Sequence, residues 1–231
     1  MSASLDTPTM MTRLNSWKKD GTTLACKIVW ATPDIDQRIV YMARVSNPNA
    51  LPDDPGERLI GYLIRNRHWS PFEMASICME VQTTRDIARQ ILRHRSFHFQ
   101  EFSQRYAEAP PEPIVSEARL QDPRNRQSST DTDDPDLQEW WLHAQEHTWD
   151  EARARYKGAL ERGIAKEVAR KLLPEGLTET KMYMSGTVRD WYHYFGVRLA
   201  DGTQKEHRDV AFEMLKMCRQ VSPLIFNHYG R

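Results

Sequence analysis

The 231-residue chain contains only three cysteines and no long apolar run. Cys26, Cys78 and Cys218 are odd in number and widely spaced, which argues against a disulfide framework and favours a reducing compartment. No CxxC pair or Cys/His cluster predicts structural zinc. No segment approaches the roughly 20 apolar residues of a membrane span, and the polar lead-in over residues 1–22 lacks the apolar core of a signal peptide. These absences predict a cytoplasmic protein without a membrane partner.

The sequence also lacks a net charge, because 32 Lys and Arg side chains balance 32 Asp and Glu side chains. A general nucleic-acid-binding protein is usually basic overall. We therefore expect no nucleic-acid partner, and a site for a polyanion would have to be local. Hydrophobic residues make up 39% and charged residues 28% of the chain, which is typical of a globular protein with a polar surface.

Apolar spacing predicts several helices and a few strands that do not alternate regularly. Asp34 and the pair Thr83 and Asp86 are the predicted caps of two helices, and Gly158 or Gly163 is expected to break the longest one. The pattern favours an α+β fold with packed helices and a mixed β-sheet. The predicted strands cover residues 23–32, 75–82 and 179–188, and the predicted helices cover 34–46, 57–68, 84–95, 137–174, 189–199 and 203–226.

Residues 108–136 differ in composition from the rest of the chain. They are rich in proline, serine, aspartate and arginine. Such a composition predicts a mobile surface loop. Because the sequence shows no internal repeat, we expect a single domain over residues 23–231, with this loop inside it.

The stretch RQILRHRSFHFQEFSQRYAE, residues 89–108, is almost entirely cationic up to Glu101 and is interspersed with aromatic residues. Arginine's fixed fork of donors binds phosphate through two hydrogen bonds, so the stretch is a candidate anion pocket. The plainer alternative is a solvated helix face paired with local acids. Ser103 lacks a GxSxG elbow, which favours a hydrogen-bonding role over a nucleophilic one. The candidate pocket arginines are Arg89, Arg93, Arg95 and Arg105.

Two further groups of polar residues also have two interpretations each. Glu139, His143 and His147 are spaced at i, i+4 and i+8, which would place metal ligands on one helical face. Surface or half-buried histidines on a packed helix are the plainer interpretation. The stretch HWSPFE, residues 68–73, suits either a ligand-contacting loop or an ordinary polar loop.

The stretch SGTVRDWYHYFGVR, residues 185–198, joins a predicted strand to a predicted helix. Gly186 at this junction would let a ligand approach backbone N–H groups. Arg189, His193 and Arg198 follow at intervals of four and five residues, near one helical face. A solvated face is again the alternative.

Arg93, His94 and Arg95 are followed by seven residues and then by Ser103, which continues as QRYAE. This spaced signature, with HWSPFE before it and SGTVRDWYHYFGVR after it, resembles the flavin-dependent thymidylate synthases. The resemblance covers about residues 23–221, apart from the loop. It implies an α+β homotetramer whose active sites lie between subunits and bind FAD. It also implies reductive methylation of dUMP to dTMP, with methylenetetrahydrofolate as the carbon donor and NADPH as the reductant.

The resemblance implies roles for individual residues. Arg198 matches the arginine that acts on the uracil ring, where it would favour negative charge at N3 and O4 and direct electron density toward C5. The positions that match FAD contacts are His68, Ser70, Glu73, Arg93, His94, Arg95, Glu101, Thr187, Arg189 and His193. The positions that match dUMP contacts are Gln90, Arg93, Glu101, Ser103, Gln104, Arg105, Arg170 and Arg198, and no residue is expected to bind a metal.

The chain departs from the family pattern at Met74, at His98 and Gln100 inside the signature, and at His207, where an apolar residue is usual. These differences would alter flavin affinity or folate access without removing a matched charged group. Two other functions remain as alternatives, a metal-dependent nucleotide phosphohydrolase and a single-stranded nucleic-acid-binding module. A family member that binds FAD without turnover is a third.

Overall fold

The computed structural model describes residues 26–46 and 56–229, which divide into two compact units. Among the described residues, no helix has both the length and the apolar character needed to cross a membrane. The predicted polar lead-in lies outside the described residues, and the predicted single domain stays a prediction. As far as they are described, the sheet unit comprises Cys26–Val81, Gln90–Gln100 and Met182–Arg231, and the long-helix unit comprises Gln82–Arg89 and Glu101–Lys181.

The sheet has the strand order Cys26–Ala31 (β1), Ser76–Thr84 (β2), Glu179–Thr187 (β6) and His98–Glu101 (β3). β1 pairs antiparallel with β2, which places Cys26 opposite Val81, and a bulge lies next to Trp30. The apolar residues of β2 are buried, as expected for a strand inside a sheet. The combination of this sheet with helices confirms the predicted α+β class. β3 was not predicted, because its four residues lie within the charged signature and show no apolar alternation.

The helices of the sheet unit bury a core that is rich in aromatic rings. The helix Val188–Arg198 (α6) contributes Trp191, Tyr194 and Phe195, each at most 1% exposed. Trp191 donates its indole N–H to the Ile77 oxygen at 3.1 Å, so the ring's single donor is satisfied inside the core. The other helical segments are Ile35–Ala43 (α1), Glu57–Arg65 (α2), Lys205–Val221 (α7) and Pro223–Phe226 (α8), with 3₁₀ turns at Arg44–Ser46 and Ser70–Glu73.

The long-helix unit is organised around one helix, Pro135–Glu161 (α4). Asp134 caps this helix by accepting hydrogen bonds from the backbone nitrogens of residues 136 and 137. The helix ends before Gly163, whose positive φ of 80° is one of the two predicted breaks. Trp149 and Tyr156 of α4 form the buried core with Ala109, Ala159, Ala169 and Leu173. The unit also contains α3 (Arg85–Ile91, up to Arg89), β4 (Arg119–Gln121), β5 (Ser129–Asp131), α5 (Lys166–Ala169) and a 3₁₀ turn at Arg170–Leu172.

The segment over residues 108–136, predicted to be a loop, contains β4 and β5. These two short strands pair antiparallel, with Leu120 opposite Thr130. Asp122 holds the turn between them by accepting hydrogen bonds from the backbone nitrogens of residues 124 and 125. The mobility of this segment stays a prediction.

Of the two predicted helix caps, Asp34 does occupy the N-cap position of its helix, whereas the pair Thr83 and Asp86 does not cap α3. Asp34 stands at the start of α1, but its backbone is left-handed, with φ 51°, and its side chain makes no capping hydrogen bond. Thr83 cannot cap α3, because β2 continues through Thr84. A capping box does form at the start of α6, where the sequence predicted only the junction between a strand and a helix. Thr187 and Asp190 exchange hydrogen bonds at the start of α6.

Gly186 lies directly against the ring of Phe97. A Cβ built on Gly186 would lie 2.5 Å from Phe97 Cδ1, which is far inside ordinary packing distance. Phe97 cannot easily withdraw, because it is 5% exposed and its ring packs 4.9 Å from that of Trp191. Close packing against Phe97 therefore accounts for the glycine at this position, and the expectation that a ligand approaches the backbone here stays a prediction.

We expect Gly186→Ala to lower the free energy of unfolding by about 1–3 kcal/mol, because the added methyl group must displace Phe97 or the strand. Gly202→Ala is the matched control in the same unit, since a Cβ there meets nothing within 4 Å. Urea unfolding of the two variants measures the difference. A Gly186→Ala variant as stable as the wild type would show that Phe97 moves aside at no cost.

Candidate active site

Arg198, the last residue of α6, bonds its half-buried guanidinium to a neutral acceptor. Its Nε donates to His94 Nε2 at 2.7 Å, and its Nη2 lies 3.5 Å from the backbone oxygen of Gln90. Burial lowers the pKa of Arg198; Tyr194 opposes this effect and Arg93 adds to it. An arginine nevertheless stays cationic at neutral pH. No carboxylate of the described residues forms an ion pair with Arg198, so its charge remains available to a ligand.

His94 must be neutral to accept this hydrogen bond, because a protonated imidazole has only donors. Burial, assisted by the positive charge of Arg198, lowers the pKa of His94 to about 4. The ring also packs edge-on against Tyr194, with centroids 4.8 Å apart. Three predicted ligand-binding positions, Gln90, His94 and Arg198, therefore meet in one cluster of the sheet unit. In the structure, His94 accepts a hydrogen bond from Arg198. The predicted contact of His94 with FAD stays a prediction.

A chain of hydrogen bonds runs through Gln90 on the other side of this cluster. Tyr194 Oη lies 2.9 Å from His207 Nε2, and His207 Nδ1 lies 3.3 Å from Gln90 Oε1. Gln90 Nε2 donates to Gln204 Oε1 at 2.7 Å, and Gln204 Nε2 donates to Glu206 Oε2 at 3.0 Å. His207 is fully buried. Burial, with the nearby positive charge of Arg198 as the next cause, lowers its pKa to about 3.

Glu73 and Arg189, both predicted to contact FAD, form an ion pair through Oε1 and Nη1. His193 lies one turn beyond Arg189, with its ring 4.6 Å from that of Trp69. Burial lowers the pKa of His193, and Arg189 adds to this effect. The structure therefore brings the HWSPFE stretch and the start of α6 together, as the combined motifs implied.

The other predicted FAD positions of the sheet unit differ in what they already bind. The His68 ring packs 5.7 Å from that of Tyr62, and Ser70 is exposed in the 3₁₀ turn. Thr187 uses its hydroxyl to cap α6. Arg93 and Arg95 are exposed, and neither forms an ion pair with a described residue. These two guanidinium groups are therefore free to bind an anion such as a diphosphate.

In the long-helix unit, Glu101 is the acceptor of a largely buried network. Its Oε1 accepts from Arg85 Nη1 at 3.3 Å and from Thr180 Oγ1 at 3.0 Å. Arg89 donates to Glu175 at 2.8 Å, and this hydrogen bond is the main reason that the pKa of Arg89 is raised. Arg89 was a candidate for the anion pocket, but the structure commits it to a carboxylate.

Gln104, a predicted dUMP contact, has an unsatisfied donor. It is 3% exposed, and its Nε2 has no partner among the described residues, an arrangement that is costly unless a ligand or water supplies an acceptor. Ser103 Oγ accepts a hydrogen bond from the Arg105 nitrogen at 3.4 Å, and Arg105 Nε lies 3.3 Å from a carboxylate oxygen of Glu167. Arg170 is half-buried in the Arg170–Leu172 turn.

The spaced histidines of α4 do not converge on a metal-like arrangement. His143 lies 3.7 Å from Glu139 and 3.5 Å from Glu146, and its side chain is largely exposed. Within residues 26–46 and 56–229, no group of three or more potential ligands is close enough together to hold a metal ion.

A family model described as "Thymidylate synthase complementing protein" matches residues 27–224. A relative from Paramecium bursaria Chlorella virus 1, named a probable flavin-dependent thymidylate synthase, is 51% identical over 187 residues, which cover 80% of this chain and 84% of the relative. The chain belongs to the flavin-dependent thymidylate synthase family. The Synechocystis family member is 48% identical over 188 residues, covering 81% of this chain and 86% of that protein. These matches confirm the predicted family and the prediction that the chain is an enzyme.

Solved structures agree with this membership. The UMP/dUMP methylase PolB from Streptomyces cacaoi, bound with 5-Br dUMP, matches with a TM-score of 0.78 at 27% identity, covering 88% of this chain and 93% of that one. The same methylase bound with 5-Br UMP gives a TM-score of 0.78 at 25% identity, covering 88% of this chain and 92% of that one. The fold of this thymidylate synthase family member is therefore shared over most of its length.

Sequence reasoning missed several partners in the site. The sequence pattern places Tyr194 in a helix without a further role, and it predicts no role for Glu175 or Arg85. His207 was noticed as a departure from the family pattern, but its partner Gln90 lies 117 residues away in the chain. The sequence signal for this contact was a histidine at a position of α7 where an apolar residue is usual.

The pKa of His207 predicts how stability depends on pH. The pKa of an unfolded histidine is near 6.5, whereas burial lowers the pKa of folded His207 to about 3. Between these values the unfolded chain binds more protons, so stability falls as the pH falls from about 6.5 toward 3. His207→Asn removes the titrating group, and we expect its free energy of unfolding to fall by about 3 kcal/mol less than that of the wild type between pH 7 and pH 4.

Denaturant unfolding across this pH range measures the two curves. Cys218→Ala is the control, because Cys218 is equally buried on the same helix but is a thiol whose pKa burial raises well above 9.0. Its curve should run parallel to that of the wild type. A parallel curve for His207→Asn would contradict the assignment of this proton to His207.

Proposed function

We propose that this family member converts dUMP to dTMP by reductive methylation, with FAD as cofactor, methylenetetrahydrofolate as carbon donor and NADPH as reductant. The observation that carries the proposal is the Arg198 guanidinium, a half-buried cation that is held by neutral His94 and has no carboxylate partner among the described residues. Two relatives are named flavin-dependent thymidylate synthases, and a similar solved structure is a dUMP methylase.

Arg198 would act on the pyrimidine ring. Its Nη1 has no hydrogen-bond partner among the described residues, so this donor is available to a carbonyl or ring nitrogen. A preoriented cation in a half-buried site stabilises negative charge on N3 and O4 more strongly than water does. Loss of the N3 proton, which such a cation would favour, adds negative charge to the ring and makes C5 more nucleophilic, and C5 is the atom that receives the methyl group. Gln90, which touches Arg198 through its backbone oxygen, would bind the same ring.

The cysteines support a mechanism without a protein nucleophile. Burial, with Glu213 as a second cause, raises the pKa of Cys26 to about 12. Burial also raises the pKa values of Cys78 and Cys218. A thiolate is the nucleophilic form of cysteine, so none of the three thiols is prepared to attack C6 of dUMP. The reaction must then be driven by the cofactor and by polarisation of the substrate.

The residues present fit FAD. Arg93 and Arg95 offer two unpaired guanidinium groups for a diphosphate, and His193 lies beside the aromatic ring of Trp69. When bound, the flavin supplies the electrons that reduce the transferred one-carbon unit to a methyl group. The chain's own residues bind and orient the reactants. We assign the predicted FAD contacts to His68, Ser70, Glu73, Arg93, His94, Arg95, Glu101, Thr187, Arg189 and His193.

We assign the predicted dUMP contacts to Gln90, Arg93, Glu101, Ser103, Gln104, Arg105, Arg170 and Arg198. The unsatisfied Gln104 Nε2 supports a hydrogen bond to dUMP, and Ser103 would bind rather than attack it. Arg105 and Arg170 would contact the phosphate, with Arg105 first exchanging Glu167 for the ligand. A homotetramer with active sites between subunits and a cytoplasmic location complete the proposal, on the family resemblance and on cysteine usage.

The proposed function predicts a visible flavin spectrum for the purified protein. Under anaerobic conditions, NADPH should bleach the bound-flavin band, and it should do so faster when dUMP is present, because nucleotide and flavin share one site. Adding methylenetetrahydrofolate should then yield dTMP. The same assay with EDTA tests the phosphohydrolase alternative and should give an unchanged rate. Absence of a flavin band even after FAD is added would contradict the proposal.

Arg198→Ala should retain flavin binding but lose turnover by about 100-fold or more, the usual cost of removing a donor that stabilises charge in the transition state. Arg198→Lys should recover little, because an ammonium cannot reproduce the fork that bonds His94 and faces the substrate. Arg38→Ala is the control, since Arg38 is exposed and its Nε donates to the backbone oxygen of Pro33, away from the Arg198 cluster. Unchanged dTMP formation by Arg198→Ala would refute the role of Arg198.

A further inference from the structure

The hydrogen-bond chain from Tyr194 to Glu206 has a fixed direction. A carboxylate oxygen only accepts, so Glu206 requires the NH₂ end of the Gln204 amide. The oxygen end of Gln204 then faces Gln90 and must receive an N–H from it. The Gln90 oxygen is left facing His207, which requires the proton on Nδ1.

The Tyr194 end of this chain of hydrogen bonds agrees with the same direction. With its proton on Nδ1, His207 has a lone pair on Nε2, and the Tyr194 hydroxyl donates to it. Both ring nitrogens of His207 and the buried Tyr194 hydroxyl are thereby satisfied without water. Every donor and acceptor in the chain agrees with one tautomer of His207 and one orientation of each amide. A reversed chain would leave Glu206 facing an oxygen.

This direction determines what Gln90 can offer to a ligand. A free glutamine amide can turn over and exchange its donor and acceptor ends. Here one lone pair of Oε1 is held by His207 and one N–H is held by Gln204. The Gln90 amide is left with one N–H and one lone pair in fixed directions, and the backbone oxygen of the same residue lies 3.5 Å from Arg198 Nη2. A pyrimidine edge, with a carbonyl oxygen beside a ring N–H, matches such a pair.

We propose that His207 is a positioning residue for pyrimidine binding, which fixes the Gln90 amide in the orientation that receives the ring of dUMP. The inference rests on the proposed function, in which Gln90 contacts dUMP. His207 itself touches only Gln90 and Tyr194 within this chain of hydrogen bonds. It acts through Gln90, and an apolar residue at position 207 would leave the amide held by the exposed Gln204 alone.

A merely structural histidine would behave differently. It would stabilise the buried end of α7, and its loss would affect FAD binding, dUMP binding and unfolding together. A positioning residue affects dUMP binding selectively, and the effect depends on which of its two nitrogens is replaced. Asparagine places an amide nitrogen near the position of Nδ1 and keeps the donor to Gln90. Glutamine reaches toward the position of Nε2 and keeps only the contact with Tyr194.

Calorimetric titration of the FAD-loaded enzyme with dUMP, and of the apoprotein with FAD, tests the inference. We expect His207→Leu to weaken dUMP binding about tenfold, the loss of one well-formed hydrogen bond, and to change FAD binding less than twofold. His207→Asn should bind dUMP close to the wild type, and His207→Gln should resemble His207→Leu. Cys218→Ala creates a cavity at an equally buried position on α7. This variant should be less stable than the wild type but should bind dUMP normally.

The outcomes separate this inference from the function on which it rests. A wild-type enzyme that does not bind dUMP would overturn the proposed function, and the inference with it. Normal binding by the wild type and by His207→Leu would overturn the inference alone. Equal weakening by Asn and Gln, or weakening of FAD and dUMP in the same proportion, would do the same. If His207→Leu does not fold, the Asn and Gln variants decide between these results.

Discussion

The site depends on one cation that is held by a neutral partner. An acidic residue beside Arg198 would bond it more strongly, but it would also cancel the charge that the substrate needs. His94 holds the guanidinium at 2.7 Å without cancelling that charge. This arrangement requires that His94 stay neutral, and both burial and the field of Arg198 keep it so. Arg198 thus helps to keep His94 neutral, and neutral His94 holds Arg198 in place without cancelling its charge.

The remaining arginines show why this feature matters. Arg89, Arg105 and Arg189 each lie against a glutamate. An anionic ligand can use such an arginine only by displacing its carboxylate, and exposed ion pairs of this kind are worth little, so the exchange costs little. Arg93 and Arg95 need no exchange. The predicted binding positions therefore include two kinds of arginine. The paired ones are held in place by a glutamate before a ligand binds, and the unpaired ones are free to attract an anionic ligand.

Local patterns in the sequence predicted the parts of the structure that local interactions determine. Apolar spacing predicted helices α6 and α7 and strand β2, and backbone preference predicted the break at Gly163. The spaced signature around His94 identified the family. The pairing of Arg89 with Glu175 and of His207 with Gln90 joins residues 86 and 117 positions apart. No periodicity encodes such contacts, because they arise only when the fold brings distant segments together.

The buried histidine of α7 illustrates how such a contact is maintained. An imidazole removed from water is destabilising unless both nitrogens find partners, and a half-satisfied polar network is worse than an apolar core. His207 meets this condition only because Tyr194 lies on one side and Gln90 on the other. A turned Gln90 amide would require the other tautomer of His207, and the buried Tyr194 hydroxyl would then lose the acceptor for its proton. The burial of both His207 and Tyr194 therefore makes the orientation of Gln90 costly to change.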